Sequence, residues 1–172
     1  MTIHTTHPFA ADPDPVRRLR GRLASGVTLL TSGAGADRAG LTVTSVVVAH
    51  GEPARVLALV DPDSDLADTV AEVGTAVLQL LGWEDRDLAE AFAGAAPAPG
   101  GLFRQATFED TAWGPRLVGD RTWAGLRLES TDEVGWSRQL RLVVEEVVAG
   151  DAGPAPLLHH RGRYRRLEGE TS

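Results

Sequence analysis

Runs of apolar residues, five to nine long and bounded by Gly, Pro or Asp, recur along the chain, and between them lie short stretches whose apolar positions fall three or four apart. The runs predict β-strands and the spaced stretches predict helices. Strands are expected at 27–31, 41–49, 56–60, 76–81, 122–129 and 140–148. The run at 122–129 alternates, with Trp123 on one face and Leu126 and Leu128 on the other. A first helix over 16–24 sets Val16, Leu19 and Leu23 at helical spacing with Arg between them, and Gly26 stops it. A second, over 65–72, has Ser64 as its N-cap and Gly74 as its end; a third, over 88–93, is capped by Asp85 or Glu84 and ended by Gly94. Residues 95–101 read as a flexible loop, a weak strand falls near Phe108, and Pro156-Leu-Leu-His-His160 with Tyr164 closes the fold. Six main strands interrupted by short helices predict a mainly β protein, a small Greek-key-like antiparallel six-stranded barrel with flanking helices.

At 172 residues and 18.2 kDa the chain fits one domain, expected over 16–168 between a polar, Pro-rich lead (1–15) and a short tail (169–172). A net charge of −7 argues against nucleic acid or an anionic membrane as the main partner. The absence of Cys excludes disulfides, thiolate metal sites and cysteine nucleophiles. Lys and Asn are absent too, so all seventeen basic residues are Arg, a bias of coding more than of function. The start, Met1-Thr-Ile-His-Thr-Thr-His-Pro-Phe9, lacks the charged and apolar segments of a signal peptide, and no window has the length of a membrane span. A cytoplasmic protein is the expectation.

Candidate chemistry centres on Gly40-Leu-Thr-Val-Thr-Ser45, a strand rich in hydroxyls, followed by a Gly51-Glu52-Pro53 turn and the apolar run Arg55-Val-Leu-Ala-Leu-Val60. Alternation puts Thr42 and Thr44 on one side and Val43 and Ser45 on the other. Such hydroxyls either serve a ligand or satisfy local bonds in a residue type that favours strands. Ser64 is in the same position, as a phosphate donor at a helix N-terminus or as an ordinary cap. His159 and His160 point to opposite faces of a strand, so no metal site is expected, and Glu145-Glu146 is likewise divided. The cluster Arg161-Gly-Arg-Tyr-Arg-Arg166 fits a nucleotide phosphate or a subunit contact, and Trp83 is placed to wall a ring pocket. No glycine-rich dinucleotide fingerprint opens a helix after a strand.

In their order, these motifs resemble the flavin reductase-like family of FMN-binding split barrels. Arg22-Leu-Ala-Ser-Gly-Val-Thr-Leu-Leu-Thr31 is similar to that family's opening helix-to-strand passage, and Gly40-Leu-Thr-Val-Thr-Ser45 to its flavin-contacting strand. Val60-Asp-Pro-Asp-Ser64 stands where the family has a polar phosphate-side loop, and Ala91-Phe-Ala-Gly94 matches a recurrent Phe-Ala-Gly element. Gly114-Pro-Arg-Leu117 and Pro156-Leu-Leu-His-His-Arg-Gly-Arg-Tyr164 complete the pattern. Three departures stand out: carboxylates at Asp61, Asp63 and Asp65 around Ser64, with Arg38, Arg161 or Arg163 to compensate; apolar Val46-Val47-Val48 after the flavin strand; and Gly135-Trp-Ser-Arg-Gln-Leu140, with no His, where the family carries Gly-Asp-His.

The resemblance implies a homodimeric flavoprotein that passes a hydride from NADH or NADPH to FMN, or to FAD, and supplies reduced flavin to a monooxygenase. Thr42, Val43, Thr44, Ser45, Asp61, Ser64, Trp83, Phe92, Arg161 and Tyr164 are the cofactor-binding candidates; no residue is assigned to catalysis, because the reactivity belongs to the cofactors. The alternative is a flavin- or ligand-binding split barrel without reductase activity.

Overall fold

A computed structural model of the protein describes residues 14–150 and 155–167. The lead and the tail expected from the sequence lie almost wholly outside them. In chain order the described elements are helix α1 (Pro15–Arg22), strands β1 (Ser25–Gly26), β2 (Thr28–Ser32), β3 (Ala39–Val43), β4 (Val46–Ala49) and β5 (Arg55–Val60), helix α2 (Asp65–Val73), strand β6 (Thr75–Leu80) and helix α3 (Arg86–Phe92). Strands β7 (Phe108–Thr111), β8 (Gly114–Leu117), β9 (Trp123–Val134), β10 (Ser137–Val148), β11 (Leu157–His160) and β12 (Arg163–Arg166) follow. None of the described helices is long and apolar enough to cross a membrane.

Seven strands form one antiparallel sheet in the order β3-β2-β6-β9-β10-β5-β4. Its two edges, β3 and β4, are consecutive in the chain and separated by Thr44 and Ser45 alone. Laid flat, the edges of such a sheet would be about 29 Å apart at about 4.8 Å per strand spacing. A link of two residues reaches about 10 Å. The sheet must therefore curl until its two edges approach at this corner without pairing, and Thr44-Ser45 is the seam of the barrel. Sequence rhythm cannot show this corner, which is why 41–49 reads as one strand and folds as two. The expected barrel is otherwise present, with six apolar runs supplying seven strands.

Inside the curl lie Leu30, Val56, Ala58, Leu78, Leu126, Leu140 and Leu142, with Leu66, Ala67 and Val70 of α2 packed against them. Strand β2 is buried along its whole length. Leu30 faces this first core, and Leu29 faces a second one with Leu81, Ala89, Phe92, Leu117 and Leu157. A strand covered on both sides loses alternation, hence its unbroken apolar reading. Its hydroxyls are all engaged: Thr28 Oγ1 donates to Val43 O at 2.7 Å, Thr31 Oγ1 to Pro115 O at 2.5 Å, and Ser32 Oγ to Thr75 O at 2.6 Å.

Several elements run beyond their sequence expectation. β9 and β10 extend to a two-residue turn, Gly135-Trp136, in which Gly135 has φ of 59° as such hairpin turns require. The expected weak strand near Phe108 is the first half of the β7–β8 hairpin. A third sheet, β1-β11-β12, carries the C-terminal hairpin, and Val27 separates β1 from β2 by donating its N–H to Leu157 O at 2.9 Å.

Candidate functional site

Two hydroxyls are left over at the seam, apart from the buried Ser130 Oγ of β9, which also has no partner among the described residues. Ser45 O accepts the N–H of Leu59 at 3.0 Å, which aligns the seam with the end of β5 and so with the turn that follows. Among the described residues, neither the Thr44 nor the Ser45 hydroxyl has a hydrogen-bond partner in the protein, and both residues are half-buried. Thr42 differs. Its Oγ1 donates to Ala89 O at 2.7 Å and so pins α3 to β3. Of the two threonines that alternation puts on one side, Thr42 thus has a hydroxyl that serves the fold. Val43 is buried in the first core, 4% exposed, and presents backbone alone, whose carbonyl already accepts from Thr28.

Beyond β5, Asp61 and Ser64 form a compact turn. Asp61 Oδ1 accepts the N–H of Asp63 at 2.9 Å, and Ser64 Oγ donates to Asp61 O at 2.7 Å. Ser64 Oγ also accepts the Ala67 N–H at 3.3 Å, so Ser64 is the cap of α2 that its sequence position predicts. The polarity left for an anion here is the first-turn backbone N–H of α2. Arg38, one of the compensating arginines expected beside this loop, is instead paired with Asp110 at 2.7 Å. Arg138 lies 3.5 Å from Asp68.

The second group gathers around α3. Phe92 is 2% exposed and packs edge-on to Phe103, with ring centroids 5.3 Å apart; it backs the barrel wall and has no open face. Trp83 and Tyr164 are both half-buried against the second core, and the Arg86 guanidinium lies 5.2 Å from the Trp83 ring. Burial, followed by the charge of Glu90, holds the Tyr164 hydroxyl above its ordinary pKa. Across the β11–β12 pair Tyr164 meets His159 edge-on at 5.9 Å. Arg161 stands at the exposed tip of that hairpin with φ of 52°, and its N–H donates to Gly21 O of α1 at 2.7 Å. Thus Thr44, Ser45, Asp61 and Ser64 fall together at the seam, Trp83, Phe92 and Tyr164 fall together beside α3, and Thr42 joins the two through Ala89.

Asp85 is a support the sequence placed in the wrong role. Expected as a cap for the third helix, it makes no capping bond to α3. Its Oδ2 accepts the Gly82 N–H at 2.8 Å and Arg121 Nη1 at 2.6 Å, while Oδ1 accepts Arg121 Nη2 at 2.9 Å. This clamp holds the turn that presents Trp83. Arg121 lies 36 residues away, so no local signal could reveal it.

A cavity of about 730 Å³ opens between the β2–β3 turn, α2 and the β7–β8 turn, and contains none of the ten candidates. Asp37, Asp65, Asp68 and Glu72 line it, and the neighbouring Arg38 is already neutralised. Such a lining repels a phosphate.

Residues 20–168 match the flavin reductase like domain. The NADH-dependent FMN reductase AsuE2 of Streptomyces nodosus subsp. asukaensis is 32% identical over 164 residues, which cover 88% of this chain and 83% of that protein. The reductase component of 4-hydroxyphenylacetate 3-monooxygenase from Thermus thermophilus is 30% identical over 146 residues, covering 85% of this chain and 91% of its own. Among solved structures, the NADH:FAD oxidoreductase SgcE6 of Streptomyces globisporus C-1027, in complex with NAD and FAD fragments, superposes with a TM-score of 0.81 at 21% identity, covering 91% of this chain and 93% of that one. At that identity the likeness is one of fold.

Proposed function

The chain belongs to the flavin reductase-like family, and we propose that it passes a hydride from NADH to FMN and releases the reduced flavin to a separate monooxygenase. The observation that carries this reading is the pair of unengaged hydroxyls, Thr44 and Ser45, at the seam, beside strands on which the hydroxyls of Thr28, Thr31, Ser32 and Thr42 are all bonded. Half-buried donors and acceptors without charge suit the polar edge of a flavin ring.

A bound flavin supplies the hydride-accepting ring, and the protein binds, orients and shields it. In this assignment Thr44, Ser45 and the Val43 backbone meet the polar ring edge, and Trp83 and Tyr164 wall the ring with Phe92 behind them. The first turn of α2, entered through Asp61 and Ser64, offers the phosphate its backbone N–H groups, opposed by the carboxylates of Asp65 and Asp68 in the same turn. Arg161 adds positive charge from the hairpin tip. FAD is accommodated as a longer version of the same ligand, and NADPH remains the competing donor.

A homodimer is part of the proposal. Strand β4 is an edge of the sheet, with Val47 59% and Val48 67% exposed, a combination that invites a second chain. A cytoplasmic setting fits a reaction that consumes NADH, and the functional unit spans 16–168.

Carboxylates at Asp61, Asp63 and Asp65 and the lack of His in 135–140 favour a second reading, a flavin-binding barrel without reductase activity. Titration of flavin-stripped protein with FMN, followed by anaerobic NADH, separates the two. Saturable quenching of flavin fluorescence and bleaching faster than in protein-free solution are expected; binding without accelerated bleaching selects the second reading, and no binding removes both.

A further inference from the structure

Unpaired positive charge on this acidic protein is concentrated in two adjoining segments. Among the described residues, ten arginines form no ion pair, and eight of them lie on α1 or the β11–β12 hairpin: Arg17, Arg18, Arg20 and Arg22, and Arg161, Arg163, Arg165 and Arg166. Arg104 and Arg141 are the other two. The two segments touch, since Arg161 N–H donates to Gly21 O at 2.7 Å, and Ser25 of β1 pairs with His159 of β11. Helix α1 buries none of its residues, and all eight arginines are exposed, so their charge faces solvent. Among the described residues, two carboxylates are tied to these segments: Asp14, which accepts the Val16 N–H at 2.9 Å, and Glu90, which bears on Tyr164. The remainder of the chain is correspondingly more acidic than its net charge of −7.

A chain of net charge −7 slows the approach of any anion unless its field is uneven. FMN and NADH are both anionic through their phosphates. Of the arginines that β10 sets beside β5, Arg138 is matched with Asp68 and Arg141 alone is unpaired among the described residues, so most of the attraction has to come from elsewhere. Tyr164 stands on the same hairpin as these arginines, with Arg166 on its own side of β12 and Arg163 and Arg165 on the other, and both Tyr164 and Trp83 pack against the second core. We propose that the α1–β12 face is an electrostatic collector for phosphate-bearing nucleotides, guiding FMN and NADH to the Trp83–Tyr164 side of the site. This inference rests on the reductase reading and adds to it the surface that sets the association rate.

Riboflavin, which has the ring of FMN and no phosphate, provides the control. Association of FMN and of riboflavin with the purified full-length protein is followed by stopped-flow flavin fluorescence at rising ionic strength. The FMN rate is expected to fall about tenfold from low to high salt, as steering over a Debye length of about 10 Å requires, while the riboflavin rate stays level. An FMN rate that rises with salt, as net charge alone dictates, or stays level overturns the proposal. Replacing Arg17, Arg18, Arg20 and Arg22 together by Gln, a comparable helix former, should slow FMN several-fold at low salt and leave riboflavin unchanged. The double variant Arg163→Gln/Arg165→Gln should do the same through the other half of the face. Equal slowing of both ligands assigns the arginines to structure and overturns the proposal. Failure of both flavins to bind refutes the reductase reading, and the collector falls with it. Stopped-flow bleaching by NADH provides the second nucleotide arm.

Discussion

The Phe92 ring lies over Gly40 so closely that a Cβ on Gly40 would come within 2.5 Å of it. Gly40 is the second residue of the hydroxyl-bearing strand β3, and Phe92 ends the helix that Thr42 holds against that strand. Two motifs that look independent in the sequence, Gly-Leu-Thr and Phe-Ala-Gly, are therefore two sides of one contact.

Gly40→Ala should destabilise the protein by about 1–3 kcal/mol through overpacking, read as a lower Tm. Phe92→Leu introduced with it should recover part of the loss, because neighbouring substitutions of this kind are not additive. Equal Tm values for wild type and Gly40→Ala would show that the helix yields freely.

The hydroxyls of the strand should separate by function. Thr44→Val and Ser45→Val each remove an unengaged hydroxyl, and FMN affinity should fall about fivefold for a hydrogen bond worth about 1 kcal/mol, with Tm nearly unchanged. Thr42→Val should do the reverse, lowering stability by about 1 kcal/mol through loss of the bond to Ala89 O. Fluorescence titration and thermal melting on the three variants read both effects, and unchanged FMN affinity in the first two removes their side chains from the site.

Arg121 is 19% exposed and Asp85 10%, in a bidentate pair that also holds the Gly82 N–H. Arg121→Ala leaves a largely buried carboxylate without its cation and should cost about 3 kcal/mol. Arg121→Lys, which keeps the charge and loses the fork, should recover only part of it. Trp83 emission should change along with the denaturation midpoint, because the clamp presents that turn.

Acid should weaken the outer surface of the barrel in a defined direction. The hydrogen bond from Trp113 and then that from Arg127 hold Glu145 below its ordinary value of 4.5, and the Arg55 hydrogen bond does the same for Glu129. Because the folded values are depressed, the unfolded chain takes up protons first as pH falls. The stability these groups contribute is complete above 4.5 and is lost as pH drops through their folded values. Urea midpoints should therefore decline below that pH. Trp113→Phe, lacking the indole donor 2.9 Å from Glu145, should show a shallower decline; an identical pH profile would remove that bond from the account.

By itself the amino-acid sequence determined the elements whose causes are local. Apolar runs between Gly and Pro set the strands, Ser64 set the start of α2, and Gly74, with φ of 78°, set its end, because periodicity, capping and backbone freedom act over a few residues. The ordered motifs were enough to place the chain in its family. Tertiary structure alone decided that the run 41–49 turns a corner at Thr44-Ser45, that Thr42 bonds Ala89 while its neighbours stay open, and that Asp85 clamps Arg121 instead of capping α3. Each of those outcomes depends on what arrives from a distant part of the chain. A hydroxyl or carboxylate carries the same capacity to bond wherever it stands, and only closure of the barrel determines which partners remain within reach.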